Sequence, residues 1–225
     1  MNKVVYTSTI AVYGDTGGRL VDEKYFYDGP ALGWASAYDR SKWRAHYQIA
    51  RPLAEEGLPL VIVLPGLVYG PGDHSAIGNL LRDLLRGRPL PVPIGTTYCW
   101  SHVDDVAETH HLAMERGLPG EDYIVSGEPA TLVEVLRRAR RWAGSRAPIV
   151  PLPRTALRAM SLLAQPFDAW LPPTYTSEGL RVATVSYTAS NHKARTQLGY
   201  TPRPLEQGLP PTLAALRNEI MASSK

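Results

Sequence analysis

Five consecutive apolar residues, Leu60-Val61-Ile62-Val63-Leu64, halted by Pro65, constrain this chain more than any other stretch. A strand with no polar position offers no face to water, so it reads as the centre of a parallel sheet covered on both sides. An apolar, β-branched run over residues 3–8 precedes it and ends at the hydroxyls of Thr7, Ser8 and Thr9. Between the two runs the pattern predicts a long loop over 14–36 and a helix over 37–56, closed by Gly57 and Pro59. Strand, helix, strand in that order predicts an α/β fold with a parallel sheet up to about residue 65. Later elements are shorter and more helical. Helices are expected over 76–86, over 101–116 with Ser101 as N-cap, and after the capping box Thr131-x-x-Glu134. Further helices are expected over 153–165 (amphipathic), 191–198 and 205–218.

The 225 residues, 44% apolar, suffice for a real core. One cysteine, Cys99, excludes an internal disulfide and suits a reducing cytoplasm. Residues 1–20 lack a basic segment followed by an apolar one, and no apolar run reaches the length of a bilayer span. A cytoplasmic protein with no membrane partner is therefore expected. The net charge of +3 is modest. The arginines at 137, 138, 140 and 141 alternate with Leu132, Leu136, Ala139 and Trp142 at helical spacing, so they form a wet helix face and no nucleic-acid partner is expected. His102, Asp104, Asp105, Glu108, His110 and His111 resemble metal ligands only in composition. H-E-x-x-H and zinc-type spacing are missing, so no metal site is expected.

The chemistry concentrates in Tyr38-Asp39-Arg40-Ser41-Lys42. Residues four apart share one helix face, which puts Tyr38 and Lys42 side by side. An ammonium beside a phenol favours the phenolate and lowers the tyrosine pKa, as a general acid/base for a carbonyl or carbinol requires. Thr9, at the end of the preceding strand, could hold the same substrate oxygen, with Thr7 and Ser8 one or two positions away as alternatives. The plain alternatives are strand-end hydroxyls capping backbone groups, a helix-start tyrosine and a surface lysine. Tyr98, Trp100, Arg181 and Tyr187 fall in the C-terminal part and are candidates for a substrate cleft or, alternatively, core and surface residues.

Motifs spread along the chain carry a family resemblance. Val4-Val5-Tyr6-Thr7-Ser8-Thr9-Ile10-Ala11-Val12-Tyr13-Gly14, the Tyr38/Lys42 pair, Leu64-Pro65-Gly66-Leu67-Val68-Tyr69-Gly70-Pro71-Gly72-Asp73, His102-Val103-Asp104-Asp105 and Leu198-Gly199-Tyr200-Thr201-Pro202 occur in order. The pattern resembles the extended short-chain dehydrogenase/reductases of the NAD-dependent epimerase/dehydratase group, and within it the dihydroflavonol-reductase-like members. The resemblance implies the C-terminal part of a Rossmann-like doubly wound parallel sheet plus a smaller, mostly helical substrate-binding region. It divides the chain at 1–70, the remainder of the NAD(P)-binding core, and 71–225, a substrate-binding region interleaved with the last core elements. It implies Thr9, Tyr38 and Lys42 as catalytic, with Thr7, Ser8, Tyr38, Lys42, Pro65, Gly66, Leu67 and Val68 binding NAD or NADP. The implied activity is hydride transfer on a nucleotide-sugar or a small carbonyl or carbinol, in a homodimer built on the Tyr38 helix.

Three departures matter. Many relatives carry arginine where Leu64 stands, and sugar dehydratases carry Asp-Glu where Ile10-Ala11 stand, which argues against dehydration. The glycine-rich loop that cradles a dinucleotide pyrophosphate is not in this sequence; Gly14, Gly17 and Gly18 lack its spacing and its helix. The resemblance thus starts at about the fifth strand of the family's sheet, and a longer enzyme is expected, with these 225 residues alone binding NAD(H) poorly. The alternative is a non-catalytic remnant or interaction subunit with no cofactor.

Overall fold

The computed structural model describes residues 3–30 and 33–222. Along the chain, strand β1 (Val4–Thr7) leads through a 3-10 turn (Ile10–Tyr13) and a long loop to helix α1 (Ala37–Trp43). A π-helical segment (Arg44–Ala50) joins α1 to α2 (Arg51–Glu55), and β2 (Leu60–Pro65), β3 (Leu67–Tyr69) and α3 (Ala76–Leu85) follow. Next come β4 (Leu90–Pro93), β5 (Thr97–His102), α4 (Val103–Arg116), β6 (Asp122–Val125) and β7 (Glu128–Thr131). The chain closes with α5 (Leu132–Ala143), β8 (Ile149–Leu152), α6 (Arg154–Ala164), α7 (Ser177–Val182) and α8 (Leu205–Ala222).

Two compact units result. The first comprises Met1–Val68, Tyr98–Pro129 and Val185–Arg203. Its sheet has the order β1-β2-β6, all parallel, with Tyr6 beside Ile62 and Ile62 beside Asp122. Alternation of side chains along each strand builds two separate cores. Ile62, Leu64 and Ile124 pack on one face with Tyr47, Ala50 and Ala54 of the helical segment 37–55. Val61, Val63, Tyr123 and Val125 pack on the other with Val106, Leu112 and Ala113 of α4. Every residue of β2 is buried, as its continuous apolar run predicts. Each of its side chains contributes about 1.5–3 kcal/mol by leaving water. The outer edge of β6 is closed by side chains: Ile124 N–H donates to Glu23 (3.0 Å) and Lys193 Nζ to the Asp122 carbonyl (2.7 Å).

The second unit comprises Tyr69–Thr97, Ala130–Thr184 and Pro204–Lys225. Helices α3, α5 and α8 pack together around Leu81, Leu84, Leu136, Leu213 and Leu216. Arg82 ties α3 to α8 through Glu219 at 2.8 Å. β4 and β8 form a small parallel sheet. Pro91, Pro93 and Pro151 mask these strands in the sequence, because proline ordinarily argues against a strand. The capping box at Thr131 and Glu134 is present as the pattern predicts.

Some local expectations need correction. Ser101 does not cap α4: the strand β5 runs through it, and His102 is the N-cap, accepting from Asp104 N–H. Ser101 Oγ is engaged elsewhere, donating to the Val125 carbonyl and accepting from Gly127 N–H. The helix over 37–56 exists but holds a π turn between α1 and α2. Pro52 lacks an N–H, so an ordinary α-helix could not complete its ladder there, and the widened turn places Arg51 N–H on the His46 carbonyl. The sheet pairing reaches Pro65, which faces Val125, one residue past the expected stop.

Candidate active site

β1 and β2 are parallel, so their carboxyl ends share one edge of the sheet, where open α/β folds place ligands. Thr9 leaves β1 at this edge. Its Oγ1 accepts from Ala11 N–H at 3.2 Å and so caps the 3-10 turn, whose four residues are all buried. Gly14 ends that turn at φ 66, a conformation that favours glycine, and a Cβ there would lie 2.6 Å from the Tyr27 ring. Ser36 caps α1 by accepting from Asp39 N–H, which sets Tyr38 in the first turn.

The Thr9 side chain stands close enough to the Tyr38 phenol to favour its ionised form. Tyr38 is 53% exposed, open to a ligand. Lys42 stands one turn on, its Nζ 5.9 Å from the Tyr38 ring centroid and 3.5 Å from the Thr7 carbonyl, to which it donates. The Tyr38 pKa is raised above its ordinary value: partial desolvation pushes it up, the Thr9 side chain pulls it down, and the Asp39 carboxylate pushes it up again. This differs from the expected lowering by Lys42. With desolvation the largest influence, Tyr38 keeps its proton and is a donor.

The three neighbouring hydroxyls part company because a strand alternates its faces. Thr7 Oγ1 meets His110 Nε2 of α4 at 2.8 Å. His110 Nδ1 bonds the Val106 carbonyl, which only accepts, so in the neutral ring Nε2 accepts from Thr7. Ser8 turns to the opposite face and is buried against His46 Nδ1 at 3.1 Å. Thr9 alone of the three reaches Tyr38 by its side chain; Thr7 offers its carbonyl to Lys42. Pro65, Gly66, Leu67 and Val68 follow the adjoining strand end. Gly66 donates to the Val125 carbonyl at 3.1 Å, and a Cβ on it would lie 2.4 Å from the Cys99 carbonyl oxygen. Only glycine lets this backbone pass so close.

Residues that the motif reading missed lie beneath the site. His46 continues the Tyr38–Lys42 spacing by one more turn and is fully buried. Its Nε2 is 3.6 Å from Asp122, which also faces Arg51 at 3.5 Å. Burial, then Arg51, lowers the His46 pKa to about 4, while burial raises Asp122 to about 6. Asp39 is buried beside Tyr38 and accepts from the Tyr187 hydroxyl at 3.0 Å. Of the cleft candidates, Tyr98 and Trp100 are buried in the first unit, and Tyr187 is engaged with Asp39. Arg181 belongs to α7 of the second unit. Among the described residues no group of three or more His, Cys, Asp or Glu could hold a metal ion.

Residues 1–126 match the family model described as NAD dependent epimerase/dehydratase family. The chain is 25% identical over 208 residues to sterol demethylase protein B of Methylococcus capsulatus, covering 90% of this chain and 62% of that protein. It is 29% identical over 214 residues to 4-hydroxy-2-methyl-3-oxo-4-farnesyl-3,4-dihydroquinoline-1-oxide ketoreductase of Stigmatella aurantiaca, covering 92% and 63%. Among solved structures, gox2253 superposes with a TM-score of 0.80 at 31% identity, covering 97% of this chain and 67% of that one. A nucleoside-diphosphate-sugar epimerase from Pseudomonas aeruginosa superposes with a TM-score of 0.77 at 24% identity, over 96% and 67%. The chain thus spans somewhat over three-fifths of the length of these two curated relatives.

Proposed function

The chain belongs to the NAD dependent epimerase/dehydratase family, and from that premise we propose that Tyr38, Thr9 and Lys42 are the proton-handling centre of an NAD(P)-dependent hydride transfer. The observation that carries this is that Thr9 and Lys42 both stand beside Tyr38, with Lys42 Nζ 5.9 Å from its ring centroid. The Tyr38 hydroxyl donates its proton to a substrate oxygen in reduction and takes it back in oxidation. Thr9, held by its cap on the 3-10 turn, orients that oxygen. A nicotinamide cofactor supplies or accepts the hydride when bound.

The residues present fit the nicotinamide-ribose end of such a cofactor. An ammonium has three N–H donors. The Thr7 carbonyl takes one from Lys42, leaving others for ribose hydroxyls. Residues 65–68, at the adjoining strand end, are proposed to lie by the nicotinamide, with the Ser8 and Thr7 backbone completing the pocket floor. Among the described residues no glycine-rich loop opening a helix is found for the pyrophosphate, so that element is proposed to come from a longer chain or a partner. Residues 1–70 then supply the remainder of the cofactor core, and 71–225 the substrate-binding region interleaved with it.

A small carbonyl or carbinol substrate is favoured. The names of the relatives include a ketoreductase and 3beta-hydroxysteroid-dehydrogenase/decarboxylases of Arabidopsis thaliana, and those names support this substrate class. A nucleotide-sugar epimerase is the second form of the same chemistry, favoured by the superposition on an epimerase. Dehydration is disfavoured because Ile10 and Ala11, which follow Thr9, are buried and carry no carboxylate. Ile49 and Leu53, exposed one turn apart on the helical segment, support a homodimer built on it. The buried Cys99 suits a reducing cytoplasm.

The test is deuteride transfer by the protein purified from its source cells. With 4-deuterated NADH or NADPH and a panel of ketones, or with NAD(P)+ and nucleotide-sugars deuterated at the carbinol carbon, deuterium should pass between cofactor and one substrate class. Failure of the native protein to transfer deuterium to any of them, together with no NAD(P)H binding, would support the non-catalytic alternative.

A further inference from the structure

Helix α6 buries only Leu157 and Ser161, as it packs against α7. Its exposed positions are Thr155, Arg158, Ala159, Met160, Leu162 and Leu163, of which Arg158 alone is charged. Leu163 is 75% exposed. The strip continues through the following 3-10 turn to Phe167 and to Trp170, which is 79% exposed, the two rings lying 6.4 Å apart. A helix at a water surface ordinarily carries charge on its outer face. In the same unit α5 does so with Glu134, Arg137 and Arg141, so the apolar outer face of α6 is not a general habit of this chain.

The charge of the unit that bears the strip points to what covers it. The second unit holds thirteen Lys and Arg against seven Asp and Glu, net +6, while the first unit is net −3. Half-buried Arg154 and exposed Arg158 belong to α6 itself. An exposed apolar helix ending in Phe and Trp on a basic body matches a helix that lies in the plane of an anionic lipid surface. A second copy of the chain fits less well, because isologous docking through this strip would bring two strongly basic units together. No helix among the described residues is long and apolar enough to cross a membrane, and α6, with eleven residues, can only lie on one.

We propose that this protein docks reversibly on anionic membranes through the outer face of α6 and the Phe167–Trp170 turn. The expectation of no membrane partner was drawn from spanning length alone and does not reach this mode of binding. Docking is independent of the proposed chemistry, and its readout is partitioning rather than turnover.

The experiment is co-sedimentation of the full chain with phosphatidylcholine vesicles and with vesicles containing equal parts phosphatidylglycerol, at low and high salt. The chain should pellet with the anionic vesicles and be released by salt. The triple variant L163Q/F167S/W170S should lose about tenfold or more in partitioning, since three buried apolar side chains are removed from the lipid contact. These positions are exposed, so the variant should keep the native circular dichroism. A measurement that needs no variant is quenching of tryptophan fluorescence by lipids brominated near the headgroup, which should occur on docking. A wild-type chain that stays in the supernatant with anionic vesicles overturns the proposal. So does unchanged partitioning of the triple variant, or a wild-type dimer that the same variant converts to monomer.

Discussion

At the residue scale, the site is a phenol held protonated. Desolvation and Asp39 outweigh the Thr9 side chain at Tyr38. A group that keeps its proton must be brought towards the working pH when ligand binds, and Lys42, one turn on, is a cation placed to do so. Lys42→Met should therefore weaken NAD(P)H binding in the cofactor-binding form and lower the rate together, both by about tenfold or more; isothermal calorimetry with steady-state kinetics reads this. An unchanged dissociation constant would make Lys42 a surface residue. The buried pair below gives a second prediction. His46 sits at about 4 against an ordinary 6.5, so its contribution to stability is complete above pH 6.5 and fades as pH falls towards 4. Asp122 sits at about 6 against 3.8, so its contribution is complete below pH 3.8 and fades as pH rises through 6. Between those limits the two slopes oppose, and the wild-type stability curve should be nearly flat. Asp122→Asn leaves His46 alone, and stability should then fall on acidification by on the order of 3 kcal/mol. Denaturant midpoints across that window read it; a curve parallel to wild type would refute the pairing. Tyr38 and Lys42 are legible in the sequence through their four-residue spacing, and His46 is equally legible at the next turn. Asp122 is not, because it enters only through the pairing of β2 with β6.

At the element scale, start and stop chemistry was read well where the side chains act locally. The Thr131 capping box is an example, and Thr131→Ala should cost about 1 kcal/mol, seen as a lower thermal midpoint with the fold retained. It was read badly where a tertiary partner competes. Ser101 looks like an N-cap, yet the Val125 carbonyl and Gly127 N–H claim its hydroxyl and keep it in β5. The alternation of a strand also decides which of Thr7, Ser8 and Thr9 meets Tyr38, and motif spacing alone left that open. Gly66→Ala should destabilise by about 1–3 kcal/mol or more, because the new Cβ meets backbone rather than a flexible side chain. Wild-type stability in that variant would mean that the strand ends are not packed as described.

At the scale of the whole molecule, the chain returns twice to its first unit, so its second half is not one continuous region. The parallel core was legible because β2 is apolar throughout. The small β4–β8 sheet was hidden by its prolines, and the pattern over 153–165 marks α6 as amphipathic without showing that its exposed side is mostly apolar. Across both units, the central claim is that Tyr38 is the acid/base of an NAD(P)-dependent reaction. Its most direct test is Tyr38→Phe in the native, cofactor-binding form, measuring turnover and NAD(P)H affinity side by side. Loss of one positioned acid/base group should lower kcat by about 10²–10⁴ while the cofactor dissociation constant stays within a few-fold. Turnover like that of wild type would contradict the account.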